Sequence, residues 1–303
     1  MGKEVMNYDV VIIGAGPAGL SAALYLARYE KKILLLSEDI GGQAFTAGEI
    51  GNYPGFDLIS GEDLSMKVGE QLKQYKNLEF KYPQKVESVQ KEEGGFNVKT
   101  SQDNYSAKTV LISAGKRHRH LGIPSEEELV GKGLSYCATC DGPFAKGKKV
   151  VVIGGGNSAA DAAMILGRIA QEVTILNLNK EMACEQIRLE KIADLGNVSI
   201  INQAKTKLIN TENSVVKEVI YEDASGKDQA QEAQMVFVEI GYVPNTEIFK
   251  DLVELNEAGE IMVDEYNQTK TPGLYATGDI TTVIHKQIII AAGEGAKAAM
   301  SIN

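Results

Sequence analysis

The chain of 303 residues has no tryptophan, only three cysteines and three histidines, and fewer basic than acidic side chains (31 against 41). A net charge of −10 argues against a general nucleic-acid binder. No apolar run approaches the ~18 residues that a membrane span needs. The first residues show no apolar core with a small-residue cleavage site, so they do not resemble an export signal. We therefore expect a cytoplasmic protein that binds neither nucleic acid nor membranes.

Three cysteines are too few for a structural disulfide framework, which a reducing cytosol would not maintain. Two of them form a C-x-x-C pair, Cys137 and Cys140. Such a pair is either redox-active or half of a zinc site, and zinc needs two further ligands at suitable spacing. The remaining candidate ligands form no second pair: Cys184, His118, His120 and His285. The sequence thus favours a redox pair and predicts no metal.

The same unit of strand, glycine-rich turn, helix and strand occurs twice. The first copy has a strand at 8–13, a helix at 17–28 and a strand at 33–36. The second has a strand at 150–153, a helix to about 169 and a strand at 173–176. Strands that alternate with helices indicate parallel sheets. The pattern predicts an α/β fold with two Rossmann-like nucleotide-binding domains.

Each glycine-rich turn follows an apolar strand and opens a helix, which is the context that dinucleotide binding requires. There, glycines permit a tight turn, and the free N–H groups of the helix start can bind a pyrophosphate. In the first copy, Glu38 stands just past the second strand, where it could bind the ribose of a dinucleotide. Turns without any ligand remain an alternative, more so for the second turn, 154–159. The predicted phosphate-binding residues are Gly14, Gly16, Pro17, Ala18 and Gly19.

The run Cys137-Ala138-Thr139-Cys140-Asp141-Gly142 resembles the low-molecular-weight thioredoxin reductases. The resemblance covers essentially the whole chain, with further motifs in the family's order at 41–43, 50–55, 112–115, 238–246, 276–280 and 287–295. It implies one FAD per chain, a thioredoxin partner and a homodimer. It also implies a discontinuous FAD-binding domain, residues 1–115 and 246–303, and an inserted domain, residues 116–245, that carries the cysteine pair.

The resemblance also assigns roles to residues. Cys140 is the cysteine nearer the flavin, and Asp141 is similar to the family's acid, which protonates the outgoing thiolate. A helix-capping role for Asp141 is the alternative. Which cysteine first attacks the partner stays open. Further FAD-binding residues implied by the family motifs are Gly42, Gln43, Asn52, Ala114, Gly115, Gly278, Asp279, Gln287 and Ala291.

The second nucleotide-binding unit departs from the family, in which arginines grip the 2′-phosphate of NADPH. Leu178, Asn179 and Ala183 occupy the positions of those arginines. Each lost charge-assisted hydrogen bond is worth roughly 1.5–3 kcal/mol, so we expect NADPH binding to be weak or absent. An NADH site normally has an acidic residue at the end of this strand. Asn177 stands there instead, as a weaker substitute.

These departures make the chain resemble the ferredoxin-dependent flavin thioredoxin reductases of clostridia. Plant-type ferredoxins lie at about −400 mV and thioredoxin at about −270 mV, so the transfer is downhill. The basic run 116–120 could receive an acidic ferredoxin, and a second run contains Lys146, Lys148 and Lys149; either could instead be an ordinary solvated charge cluster.

Three alternatives stay open. One is an NAD(P)H-dependent reductase with a degenerate site, and another is a diflavin oxidoreductase whose second turn holds a further flavin. The third, from a different class, is a flavin-binding regulatory protein with a vestigial cysteine pair.

Overall fold

The computed structural model describes residues 6–45, 47, 50–213 and 215–303; residues 1–5 of the first predicted FAD-binding segment lie outside this range. The strands are β1 Met6–Ile13, β2 Ile33–Leu36, β3 Leu78–Lys81, β4 Val86–Glu92, β5 Gly95–Thr100, β6 Asn104–Ile112, β7 Lys116–His118, β8 Leu134–Ser135, β9 Lys149–Ile153, β10 Glu172–Asn177, β11 Val198–Asn202, β12 Lys205–Glu212, β13 Val215–Glu222, β14 Asp228–Glu232, β15 Met235–Val238, β16 Tyr242–Pro244 and β17 Leu274–Ala276. The helices are α1 Pro17–Arg28, α2 Gly61–Leu72, α3 Glu126–Leu129, α4 Ala138–Asp141, α5 Asn157–Leu166, α6 Gln186–Ala193 and α7 Ile288–Ile302.

The chain divides into two compact units, Met1–Arg117 with Val243–Asn303, and His118–Tyr242. In the first unit the sheet order is β3-β2-β1-β6-β5-β4, and β17 also pairs with β6. Strands β1, β2, β3, β6 and β17 are parallel, whereas β4 and β5 form an antiparallel extension of β6. All four residues of β2 are buried because apolar clusters cover both faces of the sheet.

The second unit contains a sheet of order β11-β10-β9-β15-β8 and a separate antiparallel sheet, β12-β13-β14. The first of these is parallel throughout. Its apolar side chains also fall into two clusters. The prediction of an α/β fold with two Rossmann-like units is thereby confirmed.

Two details of the second unit differ from the sequence-based expectation. Helix α5 ends at Leu166 rather than near residue 169, and Gly167 is its C-cap. Glycine favours termination because it has a low helix propensity, and a Cβ at Gly167 would lie only 2.8 Å from Leu195 Cδ1. The following strand, β10, is longer than expected and includes Asn177.

The units change at 117/118 and 242/243, within a few residues of the predicted boundaries at 115/116 and 245/246. The two connecting segments, β7 and β16, pair with each other. Which ligand each domain binds remains a prediction. Within the described residues, no helix is both long and apolar enough to cross a membrane.

Candidate active site

The first glycine-rich turn brings strand β1 and helix α1 into close contact. The Gly14 amide donates to the Leu36 carbonyl at 2.8 Å, and Gly14 has φ +103°, a conformation that favours glycine. A Cβ at Gly19 would lie 1.9 Å from the Gly14 carbonyl oxygen. Ser113, which the sequence analysis did not single out as a site residue, donates its hydroxyl to the carbonyls of Ile13 and Gly14.

The N-terminus of α1 is open. Its N-cap residue, Gly16, provides no side-chain cap, whereas Ser60 caps α2 by accepting from the Asp63 amide. A Cβ at Gly16 would meet only the Gly41 carbonyl oxygen, at 3.9 Å. The space in front of the helix can therefore accept a phosphate group, whose charge the helix dipole and free amides would stabilise.

Helix α7 packs against the start of α1 through small residues. A Cβ at Gly295 would lie 2.0 Å from the Ala18 carbonyl oxygen. A Cβ at Gly278 would lie 2.9 Å from Ala18 Cβ and 3.8 Å from Ala291 Cβ. Three of the predicted FAD-binding residues, from three separate segments, therefore lie together.

Other predicted FAD-binding residues are linked by hydrogen bonds. Asn52 Nδ2 and Gln287 Oε1 lie 3.1 Å apart, at the beginning of α7. Gln43 donates to the Lys116 carbonyl. The segment containing Ala114 and Gly115 is held by Asn245, which donates its side-chain amide to the Ala114 carbonyl and its backbone N–H to the Gly115 carbonyl.

Three charged residues near Asp279 went unrecognised in the sequence analysis as parts of the site. Glu260 lies 2.8 Å from Lys116 Nζ and 3.1 Å from Lys286 Nζ, and all three side chains are largely buried. Burial would raise the pKa of Glu260, but hydrogen bonds from Lys116, Asn256 and Lys286 outweigh it and lower the pKa to about 2. Burial raises the pKa of Asp279 against the opposing effect of the two lysines. Because these residues are far apart in sequence, no local motif shows the cluster.

The second unit presents the cysteine pair. Cys137 and Cys140 form a disulfide with Cα atoms 5.3 Å apart. Cys137 is the N-cap of the four-residue helix α4, and its Sγ accepts from the Cys140 amide at 3.1 Å. The Ser135 hydroxyl accepts from the Cys137 amide at 3.0 Å. Strand β8 and helix α4 therefore both position the disulfide.

Asp141 is the last residue of α4, and Cys137 caps this helix. Asp141 also precedes the short 3₁₀ turn Gly142–Ala145, but its side chain makes no capping bond there. The alternative of a helix-capping role for Asp141 is therefore wrong. Its role as an acid remains a prediction.

Glu239 lies beside the cysteine pair and was quoted in the sequence analysis only as part of a motif. It follows strand β15 and accepts a hydrogen bond from the Ala138 amide. Burial raises its pKa to about 7, and the Ala138 amide opposes this rise. A glutamate at the C-terminal end of a buried parallel strand, where polar residues gather, was the signal that could have revealed it.

The second glycine-rich turn has the same backbone bond as the first, because the Gly154 amide donates to the Leu176 carbonyl at 3.0 Å. Leu176 is therefore equivalent to Leu36, and Leu178 is equivalent to Glu38. The residue at the ribose-selecting position is therefore Leu178. The expectation from the sequence that Asn177 occupies this position is wrong. Asn177 is fully buried, and its Oδ1 lies 2.0 Å from the position of a Cβ on Gly155.

The side chain of Asn177 is occupied within the protein. Its Nδ2 donates to Asn202 Oδ1 at 2.8 Å and to the Asn179 carbonyl at 3.2 Å, while its Oδ1 accepts from the Asn179 amide at 3.2 Å. The Ala183 amide donates to the Gly155 carbonyl at 2.6 Å, which ties the following loop to the turn. Leu178 is 64% exposed.

The basic run 116–120 is largely neutralised by partners. Lys116 is paired with Glu260, and Arg117 Nη2 lies 2.6 Å from Glu247 Oε1. His118 is partly buried between Tyr136 and Tyr242, and burial lowers its pKa. His120 Nδ1 lies 3.1 Å from the Tyr136 hydroxyl, and Lys149 of the second run is paired with Glu232. The run is thus a weaker landing site for an acidic partner than its sequence indicates.

Residues 8–295 match the family described as pyridine nucleotide-disulphide oxidoreductase, which accounts for nearly the whole chain. The chain belongs to this family. The thioredoxin reductase of Bacillus subtilis is 38% identical over 99% of this chain and 95% of its own length. The crystal structure of Lactococcus lactis thioredoxin reductase is 36% identical, covers 97% of both chains and superimposes with a TM-score of 0.83.

Longer proteins of the family are equally similar. An alkyl hydroperoxide reductase component of Pseudomonas putida is 39% identical over 97% of this chain. The chain spans only 57% of that protein, just over half of its length. Within the family it is therefore similar both to thioredoxin reductases and to this larger reductase.

The family binds FAD, and the residues of the first unit fit this cofactor. The open start of α1 suits a pyrophosphate, and a Cβ at Gly16 would meet almost nothing. Glu38 lies past β2 with its side chain 65% exposed and only a long 3.8 Å ion pair to Lys85, so its carboxylate is free to bind a ribose. Asp279 and the residues at the start of α7 remain predicted parts of the same site.

Proposed function

We propose that the chain is a flavin-dependent thioredoxin reductase in which reduced ferredoxin, and not NADPH, is the electron donor. Electrons would pass through FAD and the Cys137/Cys140 pair to the disulfide of a thioredoxin. The proposal groups the chain with the ferredoxin-dependent flavin thioredoxin reductases of clostridia. A homodimer is part of the same proposal.

The end of strand β10 is the single observation that carries the choice of donor. Leu178, at the position equivalent to Glu38, presents an exposed aliphatic side chain where a nucleotide-binding residue is expected. Asn179 is bound to the buried Asn177, and Ala183 is tied through its amide to the glycine-rich turn. None of these three side chains can form an ion pair with a 2′-phosphate. Two or three missing charge-assisted bonds would weaken NADPH binding by on the order of a hundredfold or more.

When bound, FAD supplies the conversion between single electrons and the electron pair that a disulfide requires. The cysteines and their neighbours receive this electron pair and pass it on. Cys137 and Cys140 open as a dithiol, and Asp141 would protonate the outgoing thiolate. The start of helix α4 and its amides favour the thiolate form of a cysteine. The donor proposal gains no support from the basic run 116–120, because its lysine and one of its arginines are paired.

A nicotinamide-dependent reductase is the second candidate, and one observation favours it. Helix α5, like α1, begins without a side-chain cap, and a Cβ at Gly156 would meet nothing within 4 Å. The second turn could therefore still accept a pyrophosphate, either of NAD(P)H or of a second flavin. A regulatory protein with a vestigial pair is disfavoured, because Cys137 and Cys140 remain in disulfide geometry on a structured helix.

The decisive experiment compares NADPH, NADH and reduced ferredoxin as reductants of the bound flavin, without oxygen and by stopped-flow absorbance. We expect ferredoxin to bleach the flavin rapidly, and the nicotinamides to bleach it at least a hundredfold more slowly at micromolar concentration. Rapid bleaching by NADPH, at tens per second, would contradict the donor assignment. Flavin content should be one per chain; two per chain would indicate the diflavin alternative.

The same experiment, repeated with thioredoxin, tests the cysteines. Cys137→Ser and Cys140→Ser should each retain FAD and abolish catalytic reduction of thioredoxin, because one sulfur alone cannot form the product disulfide. Cys184→Ser is the matched control and should turn over normally, because Cys184 lies outside the pair. Sustained turnover by either of the first two variants would exclude the pair as the redox centre.

A further inference from the structure

The surroundings of Glu239 place a carboxyl group at the redox pair without a cation to balance it. The Glu239 backbone amide donates to the Ile153 carbonyl at 2.7 Å, which holds the residue beside the glycine-rich turn. Its side chain accepts from the amide of Ala138, the residue directly after Cys137. A carboxylate in such a position is destabilised by burial, so it binds a proton more readily than an exposed glutamate does.

Ionisable groups on the neighbouring elements do not compensate Glu239. On helix α4 they are the two cysteines and Asp141, none of which carries positive charge. Tyr136 follows β8, which pairs with β15, and its hydroxyl is bonded to Glu126. Asp161 of helix α5 is paired with Arg188. Among the described residues, burial raises the pKa of Glu239 to about 7 against the opposing effect of the Ala138 amide, and no neighbouring charge contributes.

We propose that Glu239 and the Cys137/Cys140 pair form one proton-coupled unit, in which Glu239 takes up a proton when the disulfide is reduced and so allows one sulfur to remain a thiolate. Glu239 is a positioning residue here, since it acts through the cysteines. The inference rests on the proposed role of the pair as the redox centre. It is independent of the identity of the electron donor.

The step balances with dithiothreitol as the reductant. The protein S–S bond breaks, and the two thiols of dithiothreitol are oxidised to its cyclic disulfide. Of the two protons released, one binds a cysteine sulfur and the other binds the Glu239 carboxylate. The second sulfur is left as a thiolate beside a neutral carboxyl group, so the net charge is unchanged. Groups that share protons in this way titrate as a pair and not separately.

The test is the pH dependence of thiol alkylation in the dithiothreitol-reduced protein, after removal of the reductant. Iodoacetamide reacts with thiolates, and mass spectrometry of peptides separates Cys137 and Cys140 from Cys184. In the wild type, an ionised Glu239 should delay thiolate formation above pH 7. Glu239→Gln keeps an acceptor for the Ala138 amide but carries no charge. At pH 6 the two proteins should react within twofold of each other, and at pH 8 Glu239→Gln should react five- to tenfold faster.

Glu172→Gln is the matched control, because Glu172 is an exposed glutamate at the start of β10 in the same sheet, and it should follow the wild type. Superimposable profiles of the wild type and Glu239→Gln would overturn the inference. An equal difference at every pH would overturn it as well, because that pattern indicates a structural role only. If dithiothreitol releases no thiols at Cys137 and Cys140, it is the redox role of the pair that fails.

A measurement on the wild type keeps the inference testable if Glu239→Gln does not fold. Infrared difference spectra at pH 7.5 should show a protonated carboxyl band that appears on reduction of the disulfide. Absence of this band would overturn the coupling, because Glu239 would then not gain a proton on reduction.

Discussion

The two glycine-rich turns of this chain share a backbone and differ in the side chains just past the second strand. In the first turn, Gly14 bonds to Leu36, and two residues later Glu38 points into solvent. In the second, Gly154 bonds to Leu176, and two residues later the exposed side chain is Leu178. The residues between are also used differently. The Ser37 hydroxyl accepts from the Ala15 amide at 3.0 Å, whereas the larger amide of Asn177 covers Gly155.

This difference shows that a glycine-rich turn and its ligand can be separated. The first glycine of each turn is required by packing, since a Cβ at Gly14 or Gly154 would lie within 2.5 Å of a backbone oxygen. These two glycines would remain even if the turn bound nothing. The nucleotide is selected by side chains past the second strand, and those can change without affecting the fold. A retained glycine-rich turn is therefore weaker evidence for a bound nucleotide than the residue at the position of Glu38 or Leu178.

The largest effect is expected from a substitution that adds a methyl group inside the first turn and leaves the second turn unchanged. Gly19→Ala places a Cβ 1.9 Å from the Gly14 carbonyl oxygen, so helix α1 must move away from strand β1. We expect FAD affinity to fall by more than a hundredfold, and the free energy of unfolding to fall by about 2–3 kcal/mol, within the range typical of overpacking. Flavin retention on gel filtration and chemical denaturation measure the two effects.

Gly156→Ala is the control in the second turn; Gly156 is equivalent to Gly16, and the position equivalent to Gly19 is already occupied by Ala159. Its Cβ would meet nothing within 4 Å, and the residue has φ −99°, which any amino acid adopts. We expect a change in stability within about 0.5 kcal/mol and full flavin content. Equal flavin loss in both variants would contradict the assignment of FAD to the first turn.

The fold and the linear motifs were predictable because they depend on short segments. Apolar strands with a glycine turn and a helix predicted both Rossmann-like units. The residues that the structure brings together near Ala18, among them Gly278 and Ala291, were named from motifs alone. Local sequence sufficed because each of these residues lies in a segment that is recognisable by itself.

Contacts between distant segments could not be predicted. Glu260 pairs with Lys116, which lies 144 positions away, and nothing near either residue in sequence indicates the other. For the same reason the basic run looked more exposed in the sequence than it is. Asn177 was assigned to the ribose position because counting along a strand does not show which side chains point inward. Only the register of Gly154 with Leu176 shows that the equivalent residue is Leu178.

A smaller effect is expected when the first turn is given the residue of the second. Glu38→Leu should weaken FAD binding by about ten- to a hundredfold, because it removes one charge-assisted hydrogen bond worth roughly 1.5–3 kcal/mol. Flavin fluorescence on titration into the apoprotein measures the affinity. Leu178→Ala is the control and should leave FAD affinity unchanged. Unaltered affinity in Glu38→Leu would mean that Glu38 does not bind the ribose.

The smallest effect is expected when the second turn receives a positive charge that could bind a 2′-phosphate. Leu178→Arg places a guanidinium at an exposed position two residues past Leu176. One exposed charge-assisted contact of about 0.7–1.4 kcal/mol corresponds to a three- to tenfold gain in NADPH affinity. NADH lacks the 2′-phosphate, so its affinity should not change, and Leu178→Gln should help neither. Isothermal titration calorimetry with the oxidised nucleotides measures the affinities of the wild type and of both variants.

A gain of a hundredfold or more, with rapid flavin bleaching by NADPH, would mean that the second turn had kept a working site and lacked only this charge. In that case the two turns would differ by one side chain, and the nicotinamide-dependent candidate would replace the ferredoxin-dependent one.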